Sequence, residues 1–340
     1  MLSDTPSDTN TWRIIGHERV ARGLTHATRA ESPVHAYLVT GPPRVGKRTL
    51  ARTLAAALNC EAAAAERPCH TCPSCRMTER EAHPDLIVVE REGDRKGLGV
   101  EQIRDARAAV DWRPFQGRFK IYVLDAGDEM SEAAANALLK TLEEPPPQVV
   151  LVVLASQADA VPATVLSRCR ALPLQPVPPA VLAAGLREFH GAEPDTARRL
   201  AALANGRVGW AIEALGAPDL VARREEAVDR AVCLSAGPLG TRLLLAAAAC
   251  KGESFVESRG LCLRTLEDMQ GWWRDLLLVA SDSPLPPVHE DRRDELTRQA
   301  TTRGRERIVR GLREIEVTAG SVERNVTPRL ALEALVLRLN

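Results

Sequence analysis

The sequence predicts an α/β fold around a parallel sheet, followed by a small helical segment and an all-α domain. Three observations carry that prediction. Short apolar runs alternate with amphipathic stretches up to about residue 172, the pattern of a parallel sheet with both faces covered. A Gly- and Pro-rich loop joins the first run to a helix, the strand–loop–helix setting of phosphate-cradling loops. Beyond Pro173 strand signals cease and only helical periodicities remain.

Each element follows in order. The first apolar run, Ala36–Thr40, ends at the loop, and Leu50, Leu54 and Leu58 then recur at one-turn spacing. Leu86–Val89 reads as a buried strand. Val100–Val110 reads as a helix with Ile103, Ala106 and Val110 on one face, and Arg104 and Arg107 off it. Phe119–Leu124 is the next strand, ending at Asp125. Ser131 is placed to cap a helix running to about Leu142, with Ala135, Leu138, Leu139 and Leu142 inward, and Pro145–Pro147 stops it. Val149–Leu154 is the last strand of this reading. Pro173–Pro179 marks a linker and Gly216–Pro218 a second break, so three domains are expected: 1–172, 173–217 and 218–340. The third carries helical patterns over Leu261–Leu278, Arg305–Val317 and Pro328–Leu339. There Trp272 and Trp273, with Leu266, Met269 and Leu276, fit either a domain core or an interface stripe.

Composition narrows the function classes. The chain has 340 residues, with 45 acids balancing 45 bases. A protein that binds nucleic acid over its whole surface is usually strongly basic, so any such contact here is local. The start, MLSDTPSDTNT, lacks an apolar signal core, and the longest apolar runs, Val149–Ala155 and Leu243–Cys250, are far too short to span a bilayer. A cytoplasmic protein without membrane contact is expected.

The loop reads GPPRVGKRT from Gly41 to Thr49. The full pattern is G-x-x-x-x-G-K-[ST], in which glycines let backbone amides face phosphate, the lysine reaches it, and the hydroxyl holds magnesium. Gly41, Gly46 and Lys47 are in place, but Arg48 holds the hydroxyl position and cannot ligate a metal. Thr49 is one place late and is expected to project elsewhere. The strand FKIYVLD ends in Asp125, the usual magnesium-supporting acid, yet Ala126 stands where a water-polarising base would follow. Asp128, three residues on, is a poor substitute. Loop and Asp125 therefore read as vestigial, with ATP or ADP binding doubtful and no intrinsic hydrolysis.

Cys60, Cys69, Cys72 and Cys75 form C-x8-C-x2-C-x2-C, a spacing suited to a closed tetrahedral zinc site of structural type. The surrounding insert has little apolar material, so metal would supply its folding energy. His70 or His83 in place of one thiolate stays open, whereas a ferredoxin cluster lacks its next cysteine, Glu79 standing there. Cys169, Cys233, Cys250 and Cys262 read as small hydrophobes. Ser167-Arg168-Cys169 says little alone.

Taken in order, Gly16-His17, His35-Ala36-Tyr37-Leu38, the GPPRVGK loop, the four cysteines, NALLKTLEEPP over Asn136–Pro146 and LSRC over Leu166–Cys169 resemble the bacterial DNA polymerase III clamp-loader subunits of the AAA+ family. The likeness is dense over about residues 12–172. It implies an ATPase-like AAA+ domain with a zinc module at about 60–75, a helical lid over 173–217 and a helical collar for oligomerisation over 218–340. Within the family, Arg48 and Ala126 resemble the delta-prime branch, which keeps the shape and loses nucleotide chemistry, rather than the gamma/tau motor branch. Gly209 agrees, because the motor branch places a nucleotide-sensing arginine there, and so does the absence of a long tau-type extension after Asn340. This likeness implies a non-hydrolysing stator. It would sit in a hetero-oligomeric ring with motor (gamma/tau) and delta subunits, reach primer-template DNA through the assembled complex, and lend Arg168, beside Ser167, as an arginine finger to a neighbour's ATP site. An active motor-type subunit using Thr49 or Asp128 is the alternative. A stand-alone zinc module for nucleic acid is a third and weaker one, since the insert's bases are sparse. The family also lines its channel with a helix like the one bearing Arg104 and Arg107; a solvated basic face explains those two more simply.

Overall fold

The computed structural model describes residues 10–90, 101–103 and 113–339, and every structural statement below concerns these. Arg104, Arg107 and most of the helix expected over Val100–Val110 lie outside them. The chain divides into two compact units, Met1–Ala197 with Gly206–Ile212, and Arg198–Asn205 with Glu213–Asn340.

The first unit holds a parallel sheet of β1 (Ala36–Thr40), β2 (Leu86–Val89), β3 (Lys120–Asp125), β4 (Val149–Ala155) and β5 (Arg170–Pro173), in the order β2-β3-β4-β1-β5. Strand side chains alternate between two cores. Tyr37, Val39, Ile121, Val123, Val150 and Val152 pack on one face with Leu50, Leu54 and Leu58 of helix α2 (Lys47–Asn59), which follows α1 (Glu18–Arg29). Leu38, Tyr122, Leu124, Leu151 and Val153 pack on the other face with Ala135, Leu138 and Leu142. Burial on both faces is why these strands read as unbroken apolar runs.

Helix α3 (Pro73–Glu79) belongs to the cysteine insert, and α4 (Glu132–Glu143) begins where expected, the Ser131 hydroxyl accepting from the Ala134 amide at 3.2 Å. A short α5 (Ala163–Leu166) precedes β5. No fifth strand was expected. β5 has four residues, three of them exposed, and pairs only with β1, so it lacks the apolar run that marks its neighbours. Pro173 is tolerated at this edge. Three helices follow: α6 (Pro179–His190), α7 (Pro194–Leu203) and α8 (Val208–Ala214).

The second unit is helical: α9 (Pro218–Ala236), α10 (Leu239–Ala249), α11 (Phe255–Ala280), α12 (Arg293–Arg303), α13 (Arg305–Glu323) and α14 (Pro328–Arg338). Trp272 and Trp273 are fully buried in its core with Leu266, Met269 and Leu276, which settles the choice left open between core and interface. Each indole N–H is satisfied, by Gln299 Oε1 at 3.2 Å and Ser235 Oγ at 2.9 Å. No described helix is long and apolar enough to cross a membrane.

Candidate functional site

The loop between β1 and α2 is shaped by its glycines. Gly41 has φ of 145°, and a Cβ there would stand 2.4 Å from the Leu174 carbonyl. Gly46, at φ 114°, precedes the first turn of α2. Lys47 lines a cavity of about 440 Å³ with Arg48, Thr49, Asp125, Asp128, Glu129 and Ser156. Its Nζ folds back on the loop, donating to the Gly41 carbonyl at 2.7 Å and the Pro42 carbonyl at 3.2 Å. Burial lowers its pKa, opposed by Asp128 and Asp125.

Arg48 is held by acids. Its Nε donates to Glu81 Oε1 at 2.8 Å, a second bond goes to Glu81 Oε2, another to Glu90 Oε1, and Asp125 Oδ2 lies 3.9 Å from Nη1. Its hydrogen bonds to Glu81 raise the guanidinium's pKa against the burial that would lower it. The same bonds hold the Glu81 carboxyl below its ordinary range. Thr49, expected to project elsewhere, borders the same cavity beside Lys47 and Arg48. Asp125 Oδ1 accepts from the Ala126 amide at 3.0 Å, and Asp128 Oδ2 from the Ser156 amide at 3.0 Å.

The sequence reading missed Glu81, Glu90, Glu129 and Ser156. None lies in a local motif, and only the sheet's fold brings them to the loop. Gly209 borders the cavity too and donates its amide to the Arg44 carbonyl at 2.8 Å. A Cβ there would meet that carbonyl at 3.1 Å. His17 Nε2 lies 3.3 Å from the Val45 carbonyl, and burial lowers this imidazole's pKa.

The four cysteines of the insert converge, with every pair of Sγ atoms within 4.8 Å. A tetrahedral zinc with Zn–S bonds of about 2.3 Å sets sulfurs about 3.8 Å apart, so the donor set fits the metal. Amides of Cys69, Cys72 and Cys75 point at the sulfurs of Cys60, Cys69 and Cys72, each at 3.4 Å. Burial pushes the Cys69 thiol up, but hydrogen bonds from Thr71 and Cys72 outweigh it and hold the pKa at about 6. Burial raises those of Cys60 and Cys75. The two histidines face elsewhere. His70 has Glu79 Oε1 and the Thr11 carbonyl at 2.7 Å from its two ring nitrogens, and His83 Nδ1 accepts from the Asp85 amide at 3.1 Å.

Arg168 lies after α5, away from the loop's cavity. Its side chain is 36% exposed and bridges Glu143 at 2.7 Å, while Nη1 donates to the Thr164 carbonyl at 3.0 Å and to Ser167 Oγ at 3.2 Å. Cys169 behind it is half-buried, and desolvation lifts its thiol to about 11.

Residues 16–178 match the family described as DNA polymerase III, delta subunit. This stretch resembles a DNA polymerase III delta-subunit-like AAA+ domain. Relatives carry other subunit names. The DNA polymerase III subunit tau of Escherichia coli K12 is 39% identical over 156 residues, covering 46% of this chain and 24% of its own length. The gamma/tau subunit of Mycobacterium tuberculosis H37Rv is 28% identical over 96% of this chain and 60% of its own. This chain thus spans about a quarter of the tau subunits it matches first. A solved gamma-subunit-related structure from Thermotoga maritima aligns with 92% of this chain and 97% of its own at TM-score 0.45 and 14% identity, a likeness too loose to argue from.

These relatives overturn the expectation of a delta-prime stator. That expectation rested chiefly on side chains at three positions, Arg48, Ala126 and Gly209, whereas the clamp-loader-type domain as a whole aligns with tau and gamma/tau subunits. Local substitutions at a cleft do not change the branch to which the framework is most similar.

Proposed function

We propose that the chain is a gamma/tau-like, motor-type subunit of a DNA polymerase III clamp loader, acting in a hetero-oligomeric ring on primer-template DNA. One observation carries the reading within the domain's likeness to tau: Lys47, Thr49, Asp125 and Asp128 share one open cleft at the head of α2. A nucleoside triphosphate fits this donor set, since Gly41 lets the loop curl where a side chain would collide and the N-terminus of α2, Gly46 to Thr49, lines the cleft. A bound nucleotide with magnesium supplies the transferable phosphoryl group and the charge that screens it. Lys47 would leave its loop carbonyls for phosphate, Thr49 would supply the hydroxyl that Arg48 lacks, and Asp125 would orient the metal's water shell. Asp128, held by the Ser156 amide, would orient an attacking water.

Arg168 would act in trans, on the site of an adjoining subunit, where a guanidinium's permanent charge and planar fork match phosphate oxygens. Cys60, Cys69, Cys72 and Cys75 would hold a structural zinc. The three sequence domains would serve as ATPase domain, lid and collar.

Steady-state ATP turnover by the purified chain tests the reading. Magnesium-dependent hydrolysis that disappears in Lys47→Ala is expected. A chain that turns over no ATP, alone or with clamp-loader partners, rules the motor assignment out.

A further inference from the structure

A cavity of about 790 Å³ in the second unit carries six guanidiniums on its wall: Arg242, Arg298, Arg303, Arg307, Arg310 and Arg338. They come from α10, α12, α13 and α14. Two acids share the wall, and both are engaged: Glu295 pairs with Arg298, and Glu314 with Arg338 at 3.1 Å. Among the described residues no carboxylate pairs with Arg307 or Arg310. Arg303 is held by neutral partners, the Gln299 amide oxygen at 3.1 Å, the Ser235 carbonyl and the Trp273 ring at 5.1 Å. Arg242 is 3% exposed and donates to the carbonyls of Leu234 at 2.8 Å and Val336 at 2.7 Å. Burial, followed by the charge of Arg242, lowers the pKa of Arg303, and burial lowers that of Arg242.

Arg242 and Arg303 are withdrawn from water while Arg298, Arg307, Arg310 and Arg338 stay exposed, and six cations converging on one cavity wall are unfavourable unless anionic charge enters it. We propose that this cavity binds a small anion bearing at least two linked phosphate groups, through Arg303, Arg307 and Arg310. A guanidinium fork matches two phosphate oxygens, and several forks around one cavity call for several oxyanions. A single carboxylate would satisfy only one of them. Nucleic acid is the poorer occupant, because a duplex backbone lies across a surface and would not enter far enough to meet Arg303 and Arg242.

The experiment is a calorimetric titration of tripolyphosphate into the full chain carrying Lys47→Ala, so that the loop of the first unit does not contribute. The comparison is the same chain with Arg307→Gln and Arg310→Gln, two exposed positions whose replacement spares the core. Saturable binding is expected, weakened roughly tenfold or more by the double replacement. Citrate at matched ionic strength should bind far more weakly. No saturable binding, a Kd unmoved by the two replacements, or citrate binding as tightly as tripolyphosphate would each overturn the proposal. Because Lys47 is replaced throughout, none of these outcomes bears on nucleotide use at the loop.

Discussion

Arg48 places a fixed positive charge 3.9 Å from Asp125, the acid that in a phosphate-loop site supports magnesium. Glu81 and Glu90 grip it from the other side. Removing the guanidinium would therefore do two things. It would release Glu81, Glu90 and Asp125 from the cation they share, which favours a divalent ion, and a threonine would add a hydroxyl beside that of Thr49. Arg48→Thr is expected to raise magnesium-dependent ATP turnover about tenfold, a barrier change of about 1.4 kcal/mol, and to lower the magnesium concentration for half-maximal rate. A magnesium titration of turnover in both proteins checks this. Unchanged rate and magnesium dependence would mean that Arg48 does not oppose the metal. Two of the acids around this residue, Glu81 and Glu90, were invisible in the sequence, since they lie 33 and 42 residues away from it. Thr49 borders the cleft beside Lys47 and Arg48, because consecutive residues at a helix N-terminus share the space in front of it.

At the scale of elements, a signal was legible wherever it was local. The Ser131 cap, the one-turn leucine spacing of α2 and the four apolar strands were all read correctly, because period and capping are properties of neighbouring residues. The edge strand β5 was not, because its order comes from pairing with β1. The cysteine insert was legible through spacing alone, and only three-dimensional placement could turn His70 and His83 away from the cluster. About one zinc per chain is expected by the ligand count, with Cys75→Ser abolishing it and exposing the insert to protease. Metal analysis and limited proteolysis check both points; a metal-free folded chain would remove the assignment. In the second unit, Asp275 is fully buried and accepts from the His289 amide and Nδ1, both at 2.8 Å, and from Arg274 at 3.0 Å. Burial alone would raise its pKa, but these bonds prevail and lower it below 3.8. A depressed carboxyl stabilises the fold fully above its unfolded pKa and loses that contribution as pH falls through the folded one. Asp275→Asn should therefore cost about 1–3 kcal/mol at neutral pH and lessen the loss of stability in acid below pH 3.8. Urea melts across that window measure it, and equal acid sensitivity of both proteins would contradict it.

For the whole molecule the question is where Arg168 acts. A surface ion pair with Glu143 is worth about 0–1 kcal/mol, so the guanidinium can leave it at little cost when a phosphate competes. Lys47 lines the loop's cavity and Arg168 does not. A chain with both would use Lys47 for its own nucleotide and Arg168 for a neighbour's. Arg168→Ala should then leave nucleotide affinity and any turnover of the isolated chain unchanged, and lower turnover of the assembled loader by about 10³-fold at the one site it serves. Mixing separates the roles further: assemblies built from Lys47→Ala and Arg168→Ala chains should regain activity wherever an intact loop adjoins an intact finger. Equal loss in the isolated Arg168→Ala chain, or no recovery on mixing, would show that the arginine serves its own fold and not an adjoining subunit.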